Sequence, residues 1–366
     1  MATRHAAETF GQCGSNDAGS NHLRAGSTAT VLNRLTGLRA FAALAVFANH
    51  LNLHRVESLP LGMSMLGGLG VAFFFILSGF VLAWSTDPSL DIGTFYRRRF
   101  ARVYLSDFIT MLISAVVPFV MAARSWTAAI ASALMLQAWF RDTNVVFGMN
   151  GVSWSLSCEA FFYLCFPFLA HVLRSMPPRT AWLLAGLGMA GAILAYATFP
   201  LYASHVPLVR ISEFFLGVAA GIHYRGGWRL KLNGTAVVAL LLVSLVVADM
   251  VKGSLDIAVV DVPFLLVILW AANQDLAGLP GWLASPALIL AGEVSFAFYL
   301  VHDLVIVNLA PLLPHKPLIA VPVMLFVAVV SAVTLHFLVE RPSNRLLRDR
   351  TRSIALGDSP HLAHSA

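Results

Sequence analysis

Long apolar runs alternate with short polar joints along nearly the whole chain. The apolar stretches lie at 35–54, 65–86, 103–123, 127–140, 153–173, 181–199, 205–224, 234–251, 257–272, 286–309 and 318–339. About 20 apolar residues make one helical crossing of a bilayer. Inside the bilayer a backbone has no water to bond, so such segments must be helices. The pattern predicts an all-α, polytopic membrane protein. The run 127–140 is too short for an ordinary span and predicts a re-entrant or interfacial helix. About ten transmembrane helices remain. Residues 1–33 are polar and lack the apolar core of a cleaved signal. They read as a disordered cytoplasmic tail, 34–345 as the transmembrane domain and 346–366 as a second cytoplasmic tail.

Composition agrees with this division. Hydrophobic residues make up 58% of the 366 and charged residues 11%. A soluble domain carries about a quarter of its residues charged, so this chain cannot cover a water-facing surface, and its solvent is the lipid bilayer. The formal net charge is +6. With the N-terminus inside, 17 Lys and Arg fall on inner segments and 5 on outer ones. Cytoplasmic loops carry that excess, so both termini are expected in the cytoplasm and the spans in the plasma membrane. No basic patch interleaved with aromatics points to nucleic acid. Cys13, Cys158 and Cys165 show neither metal-ligand spacing nor a pairing pattern, and no metal is expected.

Ionisable side chains at bilayer depth are costly and mark function or a buried pair. The spans hold Arg39, His50, Asp107, Glu159, Arg210, Glu213, Glu293, His302, Asp303 and His336. The predicted topology sets their depth. Arg39 lies in the inner half of the first span, and His50 lies about 16 Å further out at 1.5 Å per residue. His50, Glu159, Arg210, Glu213, His302 and Asp303 are expected in one outer layer. Arg97, Arg98, Arg99 and Arg102 lie at the opposite, cytoplasmic face.

A histidine can take a proton at neutral pH, and a carboxylate beside it can orient it. Arginines suit phosphates, although the same cluster also enforces topology. Arg210 and Glu213, one turn apart, read either as substrate contacts or as a structural ion pair. His336 reads as packing, as does Phe73–Phe75, and His54 as an interfacial residue.

These residues resemble the acyltransferase 3 family of integral-membrane acyltransferases. Leu38 to His50 is similar to its Arg-x10-His signature, Gly70–Phe80 to its second block, and Arg99-Phe100-Ala101-Arg102 to its Arg-x-x-Arg motif. Trp154-Ser155-Leu156, Glu159, Phe162-Tyr163 and Pro167 resemble a further block. So do Arg210–Phe214 with Gly217 and Gly221, Gly292–Phe296 with Tyr299, Leu300 and His302, and the closing Glu340-Arg341-Pro342. The matches keep family order from about 34 to 345. Leu105-Ser106 stands where the family usually has a proline.

The resemblance implies transfer of an acyl group, often acetyl, from acyl-CoA to a hydroxyl of a carbohydrate or a glycosylated small molecule. Family members act on surface polysaccharides, lipooligosaccharides and macrolides. On this reading His50 is the general base, with Glu159, Arg39 and His302 as its catalytic company. Arg99 and Arg102, helped by Arg98, bind acyl-CoA. Arg210, Glu213, Trp154 and Tyr163 hold the substrate or the fold. The rival readings are a transporter or flippase of a glycosylated molecule and a membrane scaffold. Transporters often show internal repeats, and the two halves of this chain show none.

Overall fold

The computed structural model describes residues 31–54, 56, 66–116, 125–251, 255–314 and 316–345. The two expected tails, apart from residues 31–33, lie outside them. The described residues are mostly helical, with no strand among them. The long helices are α1 (Asn33–Leu53), α2 (Leu66–Ser85) and α3 (Ile92–Val116), then α6 (Trp154–Ser175), α7 (Pro178–Thr198) and α9 (Pro207–Arg225). They continue as α10 (Gly234–Val251), α11 (Leu255–Leu276), α12 (Pro286–Leu309) and α13 (Pro317–Leu335). Between them lie the short helices α4 (Trp126–Ala133), α5 (Thr143–Val146) and α8 (Pro200–Ala203).

Local chemistry sets the starts. α7, α9, α12 and α13 each open on a proline, whose missing N–H costs nothing in the first turn. The Ser125 hydroxyl accepts from the Ala128 N–H at 3.0 Å and caps α4. α4 is only 8 residues long, as the short run at 127–140 predicts.

α3 differs from expectation. It begins at Ile92 rather than near 103, because Asp91 caps it by accepting from the Thr94 N–H at 2.8 Å. Arginine is also a good helix former. Arg97, Arg98, Arg99 and Arg102 therefore ride on the first turns of α3 instead of in the loop before it.

Among the described residues, seven helices are long and apolar enough to cross a membrane: α2, α6, α7, α10, α11, α12 and α13. The expected number is about ten. The other three long helices fall short because each carries charge: Arg34 and Arg39 on α1, the arginine run on α3, Arg210 and Glu213 on α9. Two of them are sheltered by apolar helices. α1 packs on α12 and α2, and α9 packs on α2, α6 and α7.

The α2–α9 crossing is a close one. A Cβ on Gly217 would strike the Ile76 carbonyl, and one on Gly79 would strike the Phe214 carbonyl. Small residues let the two backbones meet. α10, by contrast, is only 17% buried, against 67% for α2 and α12. Its Leu242, Val243 and Val246 face outward, as lipid-facing side chains do.

Candidate active site

α1 and α12 pack side by side and bring together the two histidines predicted to share a layer. The His302 ring is fully buried, stacked on Phe298 with centroids 5.8 Å apart. Its Nδ1 lies 2.7 Å from the Tyr299 carbonyl oxygen and 3.2 Å from that of Phe298. Both partners only accept, so Nδ1 carries the proton and Nε2 of neutral His302 must accept. At 3.3 Å from that Nε2 stands Nδ1 of His50, which is also 2.9 Å from the Val46 carbonyl oxygen. His50 Nδ1 thus faces two acceptors and carries the proton. Its Nε2 is left as a bare, basic nitrogen on a half-buried side chain. The tautomer follows from the hydrogen-bond partners.

His54 and Asp303 complete this group. His54 Nε2 lies 2.7 Å from Asp303 Oδ1, and the His50 and His54 rings are 6.3 Å apart. His54, read from the sequence as interfacial, thus has a carboxylate partner. It sits four residues after His50 on the same helical face, a spacing that signals side-chain contact.

Glu159 has different company from that expected. It accepts from Ser78 Oγ at 3.1 Å and from the Tyr163 hydroxyl, and no hydrogen bond joins it to His50. Arg39 and Arg99 both feel its charge. Arg39 also feels Arg102 and Glu340. Arg39, Arg99, Arg102, Glu159, Tyr163 and Glu340 therefore form a second polar group, toward the start of α1. Arg98 is exposed.

Glu340 enters this group through a local change of helix. α13 widens into a π-turn at His336–Glu340, where His336 Nδ1 lies 2.8 Å from Glu340 Oε2. The packing reading of His336 omits this ion-pair geometry. Tyr299, with its ring 5.8 Å from that of His302, lies within electrostatic reach of both Asp303 and Glu159. A cavity of about 180 Å³ opens beside the second group. Arg99, Phe100, Tyr104 and Tyr163 are among its lining residues.

Arg210 and Glu213 form a third cluster, apart from both. Their ion pair is 3.0 Å long, with both side chains 1% exposed. Tyr196 OH lies 3.2 Å from Arg210 Nη1 and 3.5 Å from Glu213 Oε1. The guanidinium sits over the rings of Phe75 and Trp154, at 5.1 and 5.9 Å from their centroids. Buried Asp261 of α11 feels both charges. This is the geometry of an internal ion pair, and Trp154 is one wall of it.

His205, in the loop before α9, is a further buried histidine. Its Nε2 lies 3.3 Å from the Phe140 carbonyl oxygen, and burial holds it below the usual histidine range. Among the described residues, no three His, Cys, Asp or Glu side chains converge as ligands of one ion.

Similarity to known proteins covers the same residues. Residues 32–339 match the model of the family described as Acyltransferase domain, acyltransferase 3. The chain is 36% identical to Acyltransferase MdmB of Streptomyces mycarofaciens, over 90% of this chain and 95% of that one. It is 28% identical to Peptidoglycan O-acetyltransferase OatA of Listeria monocytogenes over 43% of this chain, which is 28% of OatA. It is 26% identical to the Putative acetyltransferase ORF330 of Acidianus two-tailed virus, over 74% of this chain and 82% of that one. No solved structure matches it. Seven helices among the described residues that are long and apolar enough to cross a membrane, with a family match that spans both α1 and α12, make this chain a multi-pass membrane enzyme that belongs to the acyltransferase 3 family.

Proposed function

We propose that the enzyme moves an acyl group, acetyl first, from acyl-CoA to a hydroxyl of a carbohydrate or of a glycosylated natural product such as a macrolide. His50 is the general base. The observation that carries this reading is the pairing of His50 with His302, which leaves Nε2 of His50 basic and free.

Nε2 takes the hydroxyl proton as the acceptor oxygen attacks the thioester carbonyl. The tetrahedral centre then expels the CoA thiolate, and the protonated His50 returns the proton to that sulfur. A positioned base of this kind contributes about 10²–10⁴-fold. His302 fixes the tautomer, and Asn150 helps to set α12 in register by donating to the Leu300 carbonyl at 2.9 Å. Arg99 and Arg102, with Arg98 at the exposed edge, bind the donor's phosphates. Arg39, Glu159 and Tyr163 line the passage between them and His50. Arg210, Glu213 and Trp154 hold α9 against α2 and α6. α1, α3 and α9 also cross, giving ten spans in the plasma membrane with both termini cytoplasmic. A peptidoglycan-acting relative and the carbohydrate bias of the resemblance support a glycosylated acceptor.

The test is His50→Ala, in membranes given labelled acetyl-CoA with a glycosylated macrolide in one series and a muropeptide in another. Transfer should fall by at least about 10²-fold. Near-normal transfer by correctly inserted protein sinks the proposal.

A further inference from the structure

We propose that Asp303 is the counter-ion that stabilises the charged form of His50, and that His54 is the positioning residue that holds Asp303 in place. This deepens the general-base reading and rests on it. A base that accepts a proton in a buried site becomes an imidazolium, and a buried charge without a partner is costly. His302 cannot serve as the partner, because its Nδ1 is committed to two carbonyl oxygens and it carries no negative charge.

Asp303 follows His302 on α12 and is 8% exposed. It is fixed from two sides. His54 Nε2 stands 2.7 Å from Oδ1. On the other side the chain at Gly151 comes so close that a Cβ there would lie 3.0 Å from Oδ2. That loop is held in turn. Asn150 donates to the Leu300 carbonyl, and Met149 adopts a left-handed backbone at φ 61°, which a non-glycine residue keeps only where its surroundings impose it.

Among the described residues, the groups that face His50 leave no other candidate. α12 brings His302, Tyr299 and Asp303, and α1 brings His54. α2 carries no ionisable side chain along its length. On α11, Asp256 and Asp261 act on Arg210, and Asp275 is bound to Arg34 at 2.7 Å. Asp303 is the carboxylate that feels His50, His54 and His302 together. His54, as its Nε2–H tautomer, donates to Asp303 and so keeps the carboxylate ionised and aimed.

The test reads the protonation of His50 without needing an acceptor. Diethyl pyrocarbonate acylates neutral imidazole only, so the yield of modified His50 peptide against pH gives a midpoint. This is measured on the purified full-length protein in detergent. Asp303→Asn should move that midpoint to lower pH by about one unit, the low end of what an opposite charge at close range gives. His54→Leu should move it the same way. His54→Gln, whose amide still donates to Asp303, should restore it.

An unchanged midpoint in Asp303→Asn overturns the proposal, as does a His54→Gln variant that behaves like His54→Leu. If Asp303→Asn fails to fold, the two His54 variants carry the same test without altering α12. Failure of the general-base reading shows separately, as transfer that survives His50→Ala.

Discussion

At the scale of single residues, the Arg210 cluster separates a structural pair from a catalytic one. One guanidinium faces two buried carboxylates, Glu213 and Asp261, and Asp261 Oδ1 has no hydrogen-bond partner. Arg210→Met leaves both carboxylates without a counter-charge, and removing one partner of a buried pair costs about 3–5 kcal/mol. Glu213→Gln leaves Arg210 opposite Asp261 and should cost less. The midpoint of thermal aggregation in detergent should therefore fall furthest in Arg210→Met, and the reverse order would refute this account. How much of the site was legible in the sequence follows the same division. Arg39, His50, Glu159 and His302 stand out as polar or charged groups in apolar runs, and the arginine run as a charge cluster beside one. Their partners do not, because pairing depends on which faces of which helices meet. Glu159 meets Ser78, which no spacing in the sequence states, whereas its contact with Tyr163 four residues on has the helical spacing that signals one. His54 was legible in principle, four residues after His50, but it lies at the end of an apolar run and looks like a rim residue.

At the scale of elements, the helices themselves follow from the apolar runs, and the differences arise where charge and helix coincide. The apolar run at 103–123 marks only part of α3, since hydropathy falls at the arginines although the helix does not. α1 and α9 fall short of spanning composition yet lie inside the bundle, since neighbours rather than lipid cover their polar faces. The α2–α9 contact supplies a prediction for this level. Gly217→Val would drive a branched side chain into the Ile76 carbonyl, and overpacking costs at least about 1–3 kcal/mol. Gly186→Val on α7 meets nothing within 4 Å and should fall within about 0.5 kcal/mol of wild type. Thermal midpoints of the two variants side by side check this. Equal midpoints would mean that the crossing is looser than its backbone contacts indicate.

At the scale of the whole molecule, the proposed function assigns the two polar groups along α1 different parts of the reaction. Arg39 belongs to the arginine group and His50 to the histidine group, about 16 Å apart at 1.5 Å per residue. On that proposal, a donor held by its phosphates at Arg99 and Arg102 extends its arm past Tyr163 and Glu159 to present the thioester to Nε2 of His50. This separation makes a prediction that does not depend on the acceptor's identity. Two lost charge-assisted hydrogen bonds at about 1.5–3 kcal/mol each should raise KM for acetyl-CoA by at least about tenfold in the double variant Arg99→Ala, Arg102→Ala. kcat should change little, because the chemistry lies at the other group. Acetyl-pantetheine carries the same thioester and arm but none of the phosphates, so it should bind weakly to wild type and equally weakly to the double variant. If both donors lose by the same factor, the arginines act on the fold of α3 and not on phosphate. If neither loses, the donor enters elsewhere, and α3 owes its arginines to topology alone.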